Sequence, residues 1–495
     1  AEGRQVGQLS FDKLDAPHPY VMILPQAETE RILIDRLAKL GVEVERPKEL
    51  IEIEQNADTV SVRLRHTDGL TEAAAFSYLI AADGGRSSLR KLLNLSFEGS
   101  KTEGAYVADA RVDWQGPPPD SAHGHMYLGR DRMLIFGLLP SGLWRIGVTL
   151  KASDPLMNSE KPTLERLQSL IDQQGGIPAQ LREVTWSSAF TISYRKIEQL
   201  RHGRVFFAGD AAHIHSPAGG QGMNTGIQDA FNLAWKIGLH AKGCGGEELL
   251  DSYHAERYPI IKKLLPLIEQ SEDIIVVKHS LAAQLRNRLL PIVSSLSFVQ
   301  ALGSHALGGF LIHYRQSPIV AERRASPLAH LKTWRQGKLP TDLRGELAFA
   351  RAPRAGDRAP DAAGVLQNGV SQRLFEIFRS ETQHQLLLFP AKANVGAKTA
   401  DLWQTIANIE REFGGLIRPW VVTTEPSAAA SDPIVLFDST GELSRRYGAR
   451  SSCLYLIRPD GYIGFRSQPI DIEALTAFWQ QKLGQQTLGR KAVCV

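Results

Sequence analysis

Residues 204–224, which read RVFFAGDAAHIHSPAGGQGMN, constrain this chain more than any other stretch. They predict a buried strand over 205–208, a turn at Gly209, a stiffened loop and then a helix. Val205, Phe206, Phe207 and Ala208 are apolar and suit a strand buried on both faces. Gly209 lets the backbone turn, and Asp210 puts a carboxylate where open α/β sheets bind ligands, beyond the ends of their strands. Pro217 stiffens the loop, while Gly219, Gly220 and Gly222 remove side chains so that a ligand can lie against backbone. From about Asn224, the residues Ile227, Ala230, Phe231, Ala234 and Ile237 recur at helical spacing. The loop therefore delivers a helix N-terminus, with its free N–H groups and partial positive charge, to a flat or anionic ligand.

The rest of the chain narrows the class. At 495 residues there is room for two or three domains with large cores. The 57 basic residues against 53 acidic ones give a net charge of +4, too mild to indicate a nucleic-acid partner. Cys244, Cys453 and Cys494 lie far apart and show neither metal spacing nor a disulfide framework, which suits a reducing cytoplasm. No apolar run reaches the roughly 18 residues that a membrane span needs, and the start has no signal-peptide pattern.

Along the chain, an α/β block is expected first. It holds a strand at 20–24, a helix carrying Ile32, Leu33, Leu37 and Leu40 and closed by Gly41, and strands at 50–55, 59–66 and 76–82. A strand-rich block follows over 104–194, with strands at 107–114, 124–128, 133–139 and 143–150 and loops at 116–120 and 153–163. It reads as an antiparallel sheet that covers a ligand. The α/β core resumes at 195, and helices run from Glu247 to about Ala306. The Ala-, Pro-, Arg- and Gly-rich stretch 350–364 predicts a domain boundary. Beyond it, strands are expected at 385–389, 420–423 and 434–437, then a turn and helix over 438–448. A hairpin follows, with arms at 454–458 and 462–466 around Pro459-Asp-Gly461, and a last helix spans 472–483.

The 204–224 stretch resembles the Gly-Asp fingerprint of the single-component FAD-dependent aromatic hydroxylases. That pattern is G-D-A-A-H, a Pro four positions on, G-x-G-M-N, and a helix continuing D-A-x-N-L-A-W-K. Gly209 to His213, Pro217, Gly220, Gly222, Met223, Asn224, Asp229, Ala230 and Asn232 to Lys236 all fit. Tyr253, Glu256, Arg257 and Pro259 match the Y-x-x-E-R-x-P segment that follows in that family. Asp83, Gly84, Ser87 and Arg90 resemble its Asp-Gly motif, D-G-x-x-S-x-x-R, and Gln26 its P-Q segment. Read from the residues alone, Ser87 caps a helix and Arg90 offers a planar cation to a carboxylate or phosphate. The residues after 350 resemble the thioredoxin-like tail of the phenol and polyketide hydroxylase branch, without paired cysteines for thiol redox chemistry. The family also carries G-x-G-x-x-G on a first strand–helix unit, and that spacing occurs nowhere in this sequence. The chain as read thus lacks the part that holds the AMP half of FAD, and apolar surfaces that pack on that part are expected to be exposed.

The resemblance implies an α/β (α+β) fold. A partial FAD-binding domain over 1–103 would be followed by a substrate-binding sheet domain over 104–194, the rest of the FAD-binding domain with its helices over 195–349, and a thioredoxin-like domain over 350–495. It implies FAD as cofactor and NADPH or NADH as co-substrate. Hydride reduces the flavin, which passes one oxygen of O2 to an electron-rich ring such as a phenol. Cofactor-binding residues carried over are Gln26, Asp83, Gly84, Arg90, Gly209, Asp210, Pro217, Gly220, Gly222, Met223 and Asn224. Asp210 would meet the ribityl chain, the loop and helix start the pyrimidine edge, and Pro217 the oxygen-reacting face. His213 reads as a structural histidine and His215 takes no role. His123, His125, Tyr127, Arg130, Arg145 and Tyr194 fall in the sheet domain, and none is singled out as a catalytic base. A small aromatic substrate and a possible homodimer are implied. A second reading is a truncated, inactive relative that serves only as a partner protein. A third is another flavoprotein oxygenation; halogenation is disfavoured because W-x-W-x-I-P is missing.

Overall fold

The computed structural model describes residues 5–129, 132–150, 161–216, 220–275, 280–324, 343–379, 381–390, 399–425 and 433–483. By compactness the chain divides into two units, one of Ala1–Ile227 with Ile260–Gly309, the other of Gln228–Pro259 with Phe310–Val495.

The first unit opens with helix α1 (Gln26–Lys39), whose end is followed by Gly41 at φ 76°, a left-handed position that suits glycine. None of α1 is buried, and Ile32, Leu33, Leu37 and Leu40 face solvent. The strand expected at 20–24 does not form. Tyr20, Val21 and Met22 are exposed and have no strand partner among the described residues, and an extended segment without a ladder is not stable as a strand. Next comes an antiparallel meander of β1 (Glu49–Gln55), β2 (Val60–Arg65) and β3 (Thr71–Phe76). The strand expected over 76–82 is two pieces. Phe76 pairs with Val60 at the end of β3, and the chain bends before β4 (Leu79–Ala81) pairs elsewhere. The alanines of β3 carry little strand signal; its pairing with β2 supplies what propensity does not.

After the short helix α2 (Ser88–Leu92) the chain builds a large antiparallel sheet. It uses β5 (Glu98–Trp114), β6 (His125–Leu128), β7 (Met133–Leu138), β8 (Trp144–Leu150) and, after helix α3 (Leu164–Gln174), β9 (Ala179–Lys196). Strict alternation along β8 buries Trp144, Ile146, Val148 and Leu150 on one face, where Leu167, Leu170 and Ile171 of α3 complete a core. Strand β9 is 18 residues long and mixes polar with apolar residues, so its pattern is weak; pairing with β5 along nearly its whole length fixes it. Then come β10 (Arg201–His202), β11 (Val205–Phe207) and β12 (His213–Ile214). The sheet order is β12-β9-β5-β8-β7-β6, with a separate trio β10-β11-β4. Helix α4 (Gln221–Ala241) crosses from the first unit into the second, and α5 (Glu247–Ile275) begins in the second. Helices α6 (Ser280–Ser295) and α7 (Ser297–Leu307) close the first unit. No single described helix is long and apolar enough to cross a membrane.

The second unit is built on an eight-stranded sheet ordered β13-β20-β19-β16-β17-β18-β14-β15. Its strands are β13 (Ala321–Arg324), β14 (Val365–Gln367), β15 (Val370–Gln372), β16 (His384–Phe389), β17 (Ile417–Thr423), β18 (Val435–Asp438), β19 (Cys453–Ile457) and β20 (Ile463–Gln468). The expected hairpin is β19 and β20, antiparallel, with Gly461 at φ 80° in its turn. The last helix runs Ile472–Leu483 as anticipated. One face of the sheet packs Leu386, Leu388, Leu454 and Leu456 with Trp235, Leu239 and Leu249 from α4 and α5. The division by compactness therefore runs elsewhere than the boundary expected at 350–364, because parts of α4 and α5 share a core with the C-terminal strands.

A buried network of charges joins the same elements. Glu256 of α5 accepts from Lys236 and Asn232 of α4 at 2.8 and 2.6 Å, from Ser317 at 2.6 Å and from both ends of the Arg458 guanidinium. Arg458 also pairs with Asp460, Trp235 donates to Asp460 at 3.1 Å, and Arg257 donates to Asp229 at 2.7 Å and to the Tyr314 hydroxyl at 3.1 Å. Three cations face three carboxylates, all at or below 9% exposure. Burial works against the Glu256 carboxylate, but the charges of Arg458 and Lys236 outweigh it and hold its pKa well below the usual range.

Cys244 and Cys453 are buried, and burial pushes the Cys453 thiol far up; Cys494 lies outside the described residues. No His, Cys, Asp and Glu cluster fit for a metal occurs among the described residues.

Candidate functional site

Two motifs meet because two strands are parallel. Strand β11 ends at Phe207 just before Gly209-Asp210, and β4 ends at Ala81 just before Asp83-Gly84. Their parallel register, Val205 opposite Leu79 and Phe207 opposite Ala81, brings both strand ends to one edge of the trio. Gly209 sits at φ 57°, and a Cβ placed there would meet the Gly226 Cα at 3.6 Å; a Cβ on Gly226 would meet the Gly209 Cα at 3.3 Å. Two glycines thus let the turn and the second coil of α4 touch backbone to backbone. Gly226 was not among the expected site residues, since its role is only visible once the helix is packed against the turn.

Arg90 locks the two motifs together. Its Nη1 donates to the Ala211 carbonyl at 3.0 Å and its Nη2 to the Gly85 carbonyl at 2.6 Å, while the guanidinium stacks 3.7 Å from the Phe97 ring centre. Burial lowers its pKa. In this arrangement the planar cation serves backbone carbonyls rather than an open phosphate seat. Ser87 caps α2 as expected, accepting from the Arg90 amide at 3.0 Å, and Asp83 accepts from the Leu89 amide at 3.1 Å. Gly84 adopts φ 80°, the turn its position requires.

Asp210 lies in a single 3-10 turn, Gly209–Ala211, with its side chain exposed. Pro217 and Gly219 fall outside the described residues. Past them, Gly220 is at φ 66° and α4 begins at Gln221. A Cβ on Gly220 would meet nothing within 4 Å, so the backbone lies open. Gly222 follows in the first turn, Met223 is exposed, and Asn224 donates back to the Gly220 carbonyl at 2.8 Å, holding the loop against the helix start. Gln26 begins α1 and donates to Glu30 at 2.9 Å on an exposed surface.

His213 is buried in β12 and pairs in register with Lys196 of β9, which agrees with a structural role. His215 was given no role, yet it faces the site. Its Nδ1 donates to the Ser216 carbonyl at 2.8 Å, which leaves Nε2 as a lone-pair acceptor. That Nε2 is buried with no partner among the described residues, and the ring lies 3.9 Å from where a Cβ on Gly222 would stand. Burial lowers the His215 pKa, partly offset by the Ser216 carbonyl, so the ring is neutral. The sequence signal for it is only its spacing from Gly222, and a loop between them hides their proximity.

The sheet-domain candidates do not converge on a base. His123 pairs with Asp120 at 2.8 Å on an exposed turn, and His125, the first residue of β6, bonds the Asp120 carbonyl at 2.8 Å. Tyr127 packs edge-on against Phe136, with its pKa raised by burial, and Tyr194 is buried. Arg145 is held by Asp109 through two bonds of 2.8 Å and stands over the exposed Trp186. Arg130 lies outside the described residues.

Known proteins carry the same pattern. Residues 2–267 match the model of a family described as FAD binding domain. The chain is 36% identical over 332 residues to a 6-methylpretetramide 4-monooxygenase from Streptomyces rimosus, covering 64% of this chain and 57% of that protein. It is 30% identical over 466 residues to a pentachlorophenol 4-monooxygenase from Sphingobium chlorophenolicum, covering 93% of this chain and 78% of that one. The first of these matches thus spans less than two thirds of its relative's length. Among solved structures, the anhydrotetracycline hydroxylase from Streptomyces rimosus superposes with a TM-score of 0.69 at 26% identity, over 96% of this chain and 82% of that chain. An aklavinone-11 hydroxylase, solved with FAD and aklavinone, shares the fold with a TM-score of 0.61 at 23% identity, over 93% and 78%.

Proposed function

The chain belongs to the FAD-binding-domain family of flavin-dependent aromatic monooxygenases, and from that premise we propose that it binds FAD at the edge where β4, β11 and α4 meet and hydroxylates an aromatic substrate with O2 and NADPH or NADH. Bound flavin supplies hydride acceptance and oxygen transfer to an electron-rich ring. The observation that carries the reading is the open backbone at Gly220 and Gly222 beside an orphaned, buried acceptor on His215. Buried polar atoms are nearly always partnered, so an unmet acceptor at a glycine-lined helix start fits a ligand that brings the missing donor. An isoalloxazine carries such a donor on its pyrimidine edge.

The chain's own residues would then divide the work. Asp210 accepts hydrogen bonds from the ribityl hydroxyls. The N–H groups at the start of α4, reached through Gly220, Gly222, Met223 and Asn224, would stabilise negative charge on the pyrimidine edge. Arg90, Asp83 and Gly84 hold the neighbouring turn in shape. Gln26, on an exposed surface, and Pro217 would take a cofactor role only through the resemblance. The large sheet covers the substrate, a small aromatic molecule, and excludes water. The thioredoxin-like reading of the C-terminal strands is supported by the order β17-β16-β19-β20, with β16 and β17 parallel and β19 antiparallel to both its neighbours.

Titrating the purified chain with FAD, followed by flavin fluorescence quenching, tests the cofactor. Asp210→Ala is expected to weaken binding by about tenfold to a hundredfold, the value of a hydrogen bond to a charged group. Wild-type affinity in that variant would remove Asp210 from the site, and absence of any saturable binding by the parent would overturn the flavin reading.

A further inference from the structure

The second half of the family fingerprint lies in the second unit. Asp229, Asn232, Trp235 and Lys236 of α4, with Glu256 and Arg257 of α5, all belong to the buried charge network of the second unit. What completes that network comes from far along the chain. Arg458 fits both of its forks to carboxylates, Glu256 on one side and Asp460 on the other, and lies against the rings of Trp235, Tyr314 and Tyr462 at 5.1, 5.3 and 6.0 Å. Only a planar guanidinium meets two carboxylates and three rings at once. Helix α4 is continuous from Gln221 to Ala241, so the residues of the network and the glycine-bearing first turn lie on one helix.

We infer that Arg458 is a positioning residue for α4: by bridging Glu256 and Asp460 it fixes the helix whose first turn carries Gly222, Met223 and Asn224. The C-terminal hairpin then bears on the order of α4 along its length. The meaning of that first turn rests on the flavin reading; the mechanical claim does not.

Arg458→Lys keeps the charge and loses the double fork. In the full chain it is expected to lower hydrogen-exchange protection of the Thr225 to Gln228 amides, the first in α4 with carbonyls four residues back, by about tenfold, and to weaken FAD binding by a similar factor. The double variant Arg458→Met with Asp460→Asn, which removes one charge of each sign, serves if the lysine variant does not fold. The control is Leu443→Ala, in the core of the same unit but outside the network, compared at a temperature equally far below its melting point. Loss of α4 protection in the Arg458 variants and not in the control supports positioning. Equal loss in both, or unchanged protection in the Arg458 variants, overturns it. If the parent binds no FAD, the flavin reading fails while the exchange result still decides this one.

Discussion

Single residues here divide into those whose duty a motif announces and those it conceals. Asp210, Gly209 and Ser87 sit where their types imply. His215 does not, and its unmet Nε2 makes a specific prediction. His215→Phe keeps the ring volume but removes the acceptor, and FAD affinity is expected to fall about tenfold without loss of fold, measured by fluorescence titration beside circular dichroism. His384 is the counterpart in the second unit. It is buried against Trp235 and Trp479, its Nε2 has no partner among the described residues, and burial with the nearby charge of Arg458 brings its pKa down to about 3. The folded state therefore stays neutral at His384 while the unfolded chain takes up a proton below about pH 6.5. Stability is lost as pH falls between those values, by about 1.4 kcal/mol per pH unit from this group. His384→Leu is expected to abolish that part of the slope, worth about 2 kcal/mol at pH 5, in urea unfolding at pH 7.5 and pH 5. An unchanged slope would place a proton on His384 in the folded state.

Among elements, α1 and the trio β10-β11-β4 contrast most. Helix α1 forms from local signals alone, with i,i+3 and i,i+4 pairs from Arg31 to Glu28 and Asp35, and buries nothing. The trio is short, three residues in each parallel strand, and depends on what clasps it. Arg90 is that clasp. Arg90→Met would leave the Ala211 and Gly85 carbonyls without their donor, at an expected cost of about 2–4 kcal/mol, seen as a lower denaturation midpoint together with weaker flavin retention. A variant with full stability and full retention would show that the strand pair needs no cross-link.

At the scale of the molecule, the C-terminal strands are bound to α4 and α5 by a shared core and by the charge network. Ending the chain after Ala355 would strip Arg458 and Asp460 from Glu256, Lys236 and Trp235 and expose one side of that core. Removing one partner of a buried pair costs about 3–5 kcal/mol, so the truncated chain is expected to aggregate, assayed by size-exclusion chromatography; a soluble product with a native-like spectrum would refute the dependence. Part of the order of elements was legible in the sequence, while β3, α3, β9, β14, β15 and the helix Thr399–Phe413 carried no expectation. The β19–β20 hairpin, the last helix, the two glycine-rich turns and the family they mark all follow from local patterns that a strand, a turn or a helix start must satisfy. The ladder of β9, the split of 76–82, the contact of Gly209 with Gly226, the orphan on His215 and the embrace of Glu256 by Arg458 were not legible. Each joins residues distant along the chain or hidden by a loop, and such pairs have no local signature. Sequence by itself determined the elements with strong local signals, the glycine-rich turns and the family they mark; packing alone decided which polar atoms are spent on holding the fold, because those partners lie far apart along the chain.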